Sequence, residues 1–214
     1  MDGNGRWAEK RGLKRVKGHE KGAEIVRSIT EYCAANDEIN RLTLYAFSTE
    51  NWKRPRLEVE FLMKLLEKYL KKELPTYLKN NIKFEPIGDL RAFSPGLQKT
   101  IQHVKDATSH CDGLVQSLAL NYGSKNEIVR AFNKLKDKKN ITEEMLGNAL
   151  DCKEDVDILI RTGGDKRLSN FLLWQLAYAE LFFVDTLWPD FGVKDLEKII
   201  AKFKKIERRF GGLK

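Results

Sequence analysis

The sequence predicts a single α/β domain, spanning residues 1–214, in which a central and mainly parallel β-sheet is flanked by helices. Its 214 residues suffice for one sizeable core but not for two large independent ones. Short, continuous apolar runs recur along the chain, as expected of parallel strands buried on both faces. Amphipathic helical patterns separate these runs, and this alternation is typical of α/β proteins.

Each element follows from its local pattern. Buried strands are predicted at residues 42–47, 82–87, 114–120 and 156–160, where apolar side chains run almost without interruption. Helices are predicted where apolar residues recur at three- and four-residue spacing. These helical stripes are Val26, Ile29 and Cys33; Val59, Leu62, Met63, Leu66 and Leu70; and Ile199, Phe203 and Ile206.

Charge and hydropathy limit the classes of partner. The net charge of +8, from 39 basic and 31 acidic residues, favours an anionic partner: nucleic acid, an acidic membrane surface or a phosphorylated substrate. The longest apolar stretch, residues 171–188, is interrupted by polar side chains and is a poor membrane span. No signal peptide opens the chain, so a soluble, cytoplasmic protein is expected.

The cysteines and histidines do not indicate a metal site. Three cysteines lie far apart without paired spacing, which argues against a disulfide framework or a zinc knuckle. His103, His110 and Cys111 are expected to share one helix face, and a partly exposed helix surface explains them better than a metal does.

Polar segments follow three of the predicted strands, where ligands bind in open α/β sheets. They are STENWKRP at residues 48–55, NYGS at 121–124 and RTGGDKRLSN at 161–170. Two of them combine arginines, hydroxyls and small residues, a mixture suited to phosphate. Either loop taken alone is equally well explained as an ordinary polar loop with a helix cap.

The N-terminus supplies a third segment of this kind. Asp2 lies beside a glycine-rich turn and Arg6, and Arg11, Arg15 and His19 follow. A carboxylate among so many positive charges ionises readily and could hold Mg²⁺. Because three separate segments carry the same chemistry, together they predict a phosphate site.

Other motifs are weak or absent. Residues 3–8 match a dinucleotide fingerprint formally, but no strand precedes them and no packed helix follows. A P-loop is lacking, and the absence of a DDxxD cluster argues against the helical trans-prenyltransferases. An RNA-binding module remains open from charge, although the four tryptophans are scattered and form no stacking platform.

Six segments resemble the conserved blocks of one family. In order along the chain they are MDGNGRWA, LTLYAFSTENWKRP, NYG, IRTGG, RLSNFLLWQLAYAELFF and WPDF. They resemble the blocks of the cis-prenyltransferase family, of the undecaprenyl diphosphate synthase type, and cover nearly the whole chain. The ending ERRFGG is similar to the family's C-terminal signature.

The resemblance implies a fold, an activity and partners. The expected fold is a homodimer of α/β subunits with a hydrophobic tunnel for the growing chain. The expected activity is Mg²⁺-dependent condensation of isopentenyl diphosphate units onto farnesyl diphosphate. The product would be a long-chain polyprenyl diphosphate, with undecaprenyl diphosphate, the lipid carrier for cell-wall synthesis, as the first expectation. No nucleic-acid partner is implied, and loose membrane contact during product release is compatible with the basic surface.

The resemblance also assigns roles to individual residues. Asp2 would be the essential, Mg²⁺-binding carboxylate, Asn51 the proton acceptor and Glu180 a second acid near the metal. The allylic diphosphate site would be formed by Gly3, Asn4, Gly5, Arg6, Trp7, Arg15 and His19. Beside Asn51 would lie Ser48, Thr49, Glu50, Trp52 and Arg54. Isopentenyl diphosphate would be held by Arg161, Arg167, Leu168 and Ser169, and the neighbouring subunit's site reached by Arg209 and Gly211.

The hydrocarbon chain needs an apolar channel. We expect Leu62, Met63, Leu66, Leu118 and Leu120 to line it, although simple core packing explains each residue equally well. Product length depends on the depth of that channel and is not readable from the sequence.

Three departures from the family pattern bear on these expectations. In the family a strand precedes the MDG block. We therefore expect either that this sheet lacks an edge or central strand, or that the start of the sequence is trimmed or mis-set. Lys166 stands where some relatives have a metal-contacting histidine, which removes a third protein ligand. Residues 123–125 read Gly-Ser-Lys instead of the commoner Gly-Gly-Arg, a change expected to be tolerated.

A non-catalytic subunit that stabilises a partner is the alternative within the family. Such subunits lose the catalytic acid, whereas Asp2, Asn51 and Arg161 are all present here. The sequence therefore favours the enzyme.

Overall fold

The computed structural model describes residues 1–208, and the elements named here lie within that range. The helices are α1 (Asn4–Glu9), α2 (Arg15–Ala34), α3 (Arg56–Lys79), α4 (Pro95–Ala107), α5 (Ser124–Lys134), α6 (Glu143–Ala149) and α7 (Val193–Phe203). The strands are β1 (Arg41–Ser48), β2 (Lys83–Ile87), β3 (Val115–Tyr122), β4 (Ile158–Arg161) and β5 (Glu180–Phe183). Short 3-10 helices occupy Thr49–Lys53, Leu90–Ala92 and Trp188–Asp190.

The strands are parallel, as predicted, but they form two sheets. One has the order β1-β3-β2 and the other pairs β4 with β5. Within residues 1–208, β1 and β4 each keep one edge without a partner strand. The single sheet that the sequence predicts is therefore divided in two, and the free edges of β1 and β4 border the cavity described below.

The four predicted strands are found within one or two residues of their expected positions. β5 was not predicted, because it lies inside the long apolar stretch of residues 171–188, where no alternation or turn signal separates it. The third helical stripe was predicted one turn too long, since α7 ends at Phe203, before Ile206. The shared helix face of His103, His110 and Cys111 was also wrong: α4 ends at Ala107, before two of the three.

Two apolar clusters form the core on opposite sides of the strands. The larger packs α2, α3, α4 and α7 against β1 and β3 and includes Leu44 and Leu118. The smaller contains Leu159, Phe171 and Leu172. β3 is buried along almost its whole length, as expected of the central strand of its sheet. None of the helices within residues 1–208 is long and apolar enough to cross a membrane.

Close helix contact fixes the N-terminal segment. A Cβ on Gly18 would fall on the backbone oxygen of Asn4, so the side-chain-free surface of α2 allows α1 to pack directly upon it. Trp188 donates its indole N–H to the carbonyl of Gly22 at 2.9 Å, which joins α2 to the segment before α7. These contacts place the segment that carries Asp2 against the carboxyl end of β4.

Candidate active site

The backbone of Asp2 is held at the carboxyl end of β4. Its N–H donates to the Thr162 hydroxyl at 2.9 Å, and that hydroxyl donates back to the Asp2 carbonyl at 2.9 Å. The N–H of Trp188 also reaches this carbonyl, at 2.9 Å. Gly3, which follows, has φ of 103°, a left-handed conformation that glycine adopts without strain. The chain can therefore turn sharply and point the Asp2 carboxylate into the site.

The Asp2 carboxylate lies among hydrogen-bond donors and positive charges. It accepts from the Gly3 N–H at 2.7 Å and from Arg161 at 3.0 Å, and Arg6 lies 3.4 Å away. Partial burial alone would raise the pKa of Asp2, but these hydrogen bonds and charges outweigh it and hold the pKa below its ordinary value. Asp2 is therefore ionised at neutral pH.

Arg161 is the centre of the first cationic cluster. Its guanidinium donates to the Ser169 hydroxyl at 2.7 Å and to the backbone oxygen of Arg167, in addition to Asp2. Asp165 lies 3.5 Å from Arg161 and forms a two-bond pair with Arg167 at 2.8 and 2.9 Å. Only 13% of the Arg161 side chain is exposed, so its fork is held in one orientation.

A second cationic cluster surrounds Glu58, at the start of α3. Arg54, His19 and Arg15 approach its carboxylate to 3.2, 3.5 and 3.6 Å. Burial lowers the pKa of His19, and the charge of Arg54 lowers it further, so neutral imidazole is favoured at pH 7. Arg15 also pairs with Glu9 at 2.7 Å, which ties it to α1.

The 3-10 helix after β1 is fixed by its own side chains. Ser48 and Asn51 form a capping box, in which the Asn51 amide oxygen accepts from the Ser48 N–H at 3.0 Å. Glu50 accepts from Asn170 at 3.0 Å, which joins this helix to the loop after β4. Trp52 donates its indole N–H to Asn121 at 2.7 Å. The loops after β1 and β4 therefore meet beside the carboxyl end of β3.

A cavity of about 1460 Å³ opens beside the two clusters and runs along β1 between α2 and α3. Its size exceeds the roughly 300–1,000 Å³ of an ordinary small-molecule pocket. The five residues expected to line a hydrocarbon channel all do so: Leu62, Met63, Leu66, Leu118 and Leu120. The cavity also follows the free edge of β1 toward β4 and reaches Asn40, at the amino end of the strand.

The structure brings most of the predicted site residues together, in or beside the two clusters. The predicted residues that line the cavity are Asp2, Asn4, His19, Ser48, Glu50, Asn51, Arg54, Arg161, Arg167, Leu168 and Ser169. Gly5 lies against the Arg15 guanidinium, and Thr49 against Gly123.

Several predicted residues lie elsewhere. Trp7 turns away to donate to Asp190 at 2.6 Å. Glu180 pairs with Ile158 at the amino end of the β4–β5 ladder, whereas Arg161 is at the carboxyl end. Three residues of strand, or about 10 Å, separate those ends, so this chain does not bring Glu180 to Asp2. Lys166 is exposed. The predicted residues Arg209 and Gly211 are outside the described residues.

Four residues of the site were not predicted: Glu58, Thr162, Asp165 and Asn170. Glu58 follows Arg54 by four residues on a helical start, a spacing that favours an ion pair. The other three belong to the polar loop after β4, whose composition indicated a site without showing which side chains face it.

The surroundings of Asp2 fit a magnesium ion that is held by one carboxylate together with substrate phosphates and water. No group of three or more His, Cys, Asp or Glu side chains within residues 1–208 could enclose a metal. Mg²⁺ is commonly held by one or two carboxylates together with substrate phosphates and water. Asp2, 39% exposed and ionised, meets that requirement and lies beside arginines that would contact the same phosphates.

Taken together, the fold and site define an α/β protein in which two arginine clusters and an ionised carboxylate lie beside one large cavity. The sequence of residues 1–211 matches the family described as "Putative undecaprenyl diphosphate synthase". The chain belongs to this family, and it is a cis-prenyltransferase.

Individual relatives agree with the family. An isoprenyl transferase from Wolinella succinogenes is 58% identical over 100% of this chain and 94% of its own length. An isoprenyl transferase from Helicobacter pylori strain 26695 is 55% identical over 100% of this chain and 95% of its own length. The crystal structure of a probable undecaprenyl diphosphate synthase from Campylobacter jejuni aligns with a TM-score of 0.84 and 41% identity, over 90% of this chain and 93% of that one. Lavandulyl diphosphate synthase from Lavandula x intermedia, in complex with dimethylallyl diphosphate, aligns at 0.93 with 32% identity over 99% and 95%.

Proposed function

We propose that this enzyme adds isopentenyl diphosphate units to farnesyl diphosphate and releases a long-chain polyprenyl diphosphate, with undecaprenyl diphosphate as the expected product. The observation that carries the proposal is the joining of two cationic clusters to one apolar cavity of about 1460 Å³. A two-substrate condensation needs two anion sites held in register and one channel for the product.

The two clusters divide the substrates. The Arg15, His19 and Arg54 cluster, next to α1, takes the allylic diphosphate. Arg161, Arg167 and Ser169 take the diphosphate of isopentenyl diphosphate. Asp2 hydrogen-bonds Arg161 and lies near Arg6, which also approaches Asp165, so Asp2 belongs to the Arg161 cluster. Arginines already oriented by carboxylates can stabilise the charge that develops on the leaving diphosphate without rearranging.

Mg²⁺ is the proposed cofactor, held by Asp2 together with diphosphate oxygens. When bound, it supplies positive charge to the leaving diphosphate. Asn51 is the proposed proton acceptor. Its amide oxygen caps the 3-10 helix through the Ser48 N–H, so accepting a proton there requires that hydrogen bond to weaken.

Assembly and location complete the proposal. The enzyme acts as a homodimer in the cytoplasm and touches the membrane loosely while it releases product. Retention of Asp2, Asn51 and Arg161 supports catalysis over a stabilising, non-catalytic role.

Incorporation of labelled isopentenyl diphosphate onto farnesyl diphosphate tests the proposal, with Mg²⁺ or with EDTA and with products resolved by chain length. Mg²⁺-dependent formation of long products is expected. Products of only one condensation would contradict the long-chain assignment, and no Mg²⁺-dependent diphosphate release would favour the non-catalytic alternative. An RNA-binding module would instead bind oligonucleotides in a salt-dependent way without any turnover.

A further inference from the structure

Two exposed segments beside the cavity carry apolar side chains that nothing in the described chain covers. Residues 9–15 are exposed without interruption, and Leu13 retains 44% of its surface. Residues 55–57 are likewise exposed, and Leu57 retains 80%, the highest value for a large apolar side chain within residues 1–208. Exposed leucines of this degree mark a contact surface when they cluster.

The two segments lie next to each other at the mouth of the cavity. Arg15, two residues after Leu13, approaches Glu58, the neighbour of Leu57, to 3.6 Å. His19 and Arg54 contact the same carboxylate and line the cavity. We call residues 9–15 together with residues 52–57, which extend the second segment back to include Arg54, the lip.

The lip is strongly basic. It contains seven of the 39 basic residues of the chain but only one of the 31 acidic ones. Several of its arginines are paired with carboxylates, whereas Lys10, Lys14 and Lys53 are exposed and form no ion pair with the described residues. Exposed lysines around exposed leucines complement a surface that is both anionic and apolar.

We propose that the lip docks on an anionic lipid bilayer, with Leu13 and Leu57 entering the headgroup region and the lysines contacting lipid phosphates. Neither the leucines nor the lysines suffice alone, since stable peripheral binding takes an apolar insertion together with a basic patch. Docked in this way, the cavity mouth faces the bilayer. An apolar product passes into lipid without crossing water. The role of docking in product release rests on the proposed function, whereas the docking itself is measured without substrate.

Sedimentation with vesicles tests the docking, using phosphatidylcholine alone and phosphatidylcholine with phosphatidylglycerol. Wild-type protein is expected to bind the anionic vesicles and to lose binding in high salt. Leu13→Ser with Leu57→Ser should weaken binding at least about tenfold, since each leucine loses apolar burial. Leu78→Ser is the matched control: Leu78 is 43% exposed and lies near the other end of α3, about 30 Å away, and should not change binding.

A charge series separates lipid from other anions. Lys10→Gln, Lys14→Gln and Lys53→Gln together should weaken vesicle binding at least about tenfold, because each basic residue contributes near a charged surface. Lys64→Gln, Lys68→Gln and Lys79→Gln, also exposed, are the control. Equal loss in both lysine sets, or no effect of the leucine pair, overturns the proposal. So does binding to single-stranded RNA that depends on the lip lysines while vesicle binding does not.

The rate of condensation is measured in parallel in detergent solution, without vesicles. The leucine variants should keep wild-type condensation there, because neither residue belongs to the proposed substrate site. Loss of vesicle binding with normal condensation supports docking, whereas normal vesicle binding without condensation would count against the proposed function alone.

Discussion

At the scale of single residues, a hydrogen bond joins Asp2, the proposed metal ligand, to Arg161. The carboxylate accepts at 3.0 Å from a guanidinium that also holds Ser169. Removing the acid therefore removes the proposed metal ligand and frees a largely buried arginine at the same time.

Asp2→Ala should lower turnover at least about a hundredfold, since charge stabilisation at a leaving group is commonly worth that much. The fold should survive, because Asp2 is 39% exposed and exposed ion pairs contribute little to the free energy of unfolding. Steady-state rates and thermal melting curves check both parts. Near-normal turnover would remove Asp2 from the mechanism.

Arg161→Ala should raise the KM for isopentenyl diphosphate much more than that for farnesyl diphosphate, because Arg161 shares its cluster with Ser169 and not with Arg15. A smaller fall in kcat is expected too, since Asp2 loses its partner. Arg167→Ala is the matched comparison: its side chain is 64% exposed and pairs with Asp165, so its effect should be confined to KM and be smaller. Equal changes in both KM values would contradict the division of the sites.

At the scale of elements, direct contact between α1 and α2 determines where Asp2 lies. Any side chain at Gly18 meets the backbone of Asn4, which cannot move without displacing α1. The position of the N-terminal part of the site therefore depends on the absence of a side chain at Gly18.

Gly18→Ala should lower the free energy of unfolding by about 1–3 kcal/mol, the usual cost of overpacking, and should reduce turnover by displacing Asp2. Denaturant unfolding measures the first effect. Gly96→Ala is the control, because Gly96 lies in the first turn of α4 with no atom near its Cβ position, and alanine favours a helix. Equal stability of the two variants would show that α1 is not held by this contact.

The elements also show what the sequence can and cannot predict. Strands β1 to β4 were predictable because each is a short apolar run between polar loops. The phosphate chemistry inferred from the loop that carries Arg161 stays a prediction. Neighbours across strands were not predictable. The register of β4 and β5 is set by tertiary packing, and it places Glu180 at the end of the ladder away from Asp2. Asp165 and Thr162 were missed because only the folded loop shows which of its polar side chains face the site.

At the scale of the whole molecule, the cavity has two different sides, one formed by helices and the other by strand edges. Its α2 and α3 side, with Leu62 and Leu66, is apolar and suits a hydrocarbon chain. Its other side follows the free edges of β1 and β4, whose backbone groups need hydrogen-bond partners. Met1 lines the cavity as well, and burial lowers the pKa of its amine to about 6. The cavity is therefore bordered by a buried amine and by the free edges of two strands.

The space between β1 and β4 should accept one more parallel strand, and a designed extension tests this. Seven Val- and Ile-rich residues added before Met1 would run parallel to both strands, pair with their free edges and turn the buried amine into a neutral amide. We expect the melting temperature to rise by roughly 6–12 °C, as about 3 kcal/mol does in a domain of this size. Amides of β1 and β4 should also exchange more slowly with solvent. A seven-residue Gly-Ser extension is the control, because it converts the same amine into an amide without supplying a strand. If both extensions melted alike, the gain would come from the amide at Met1, and no strand would have formed between β1 and β4.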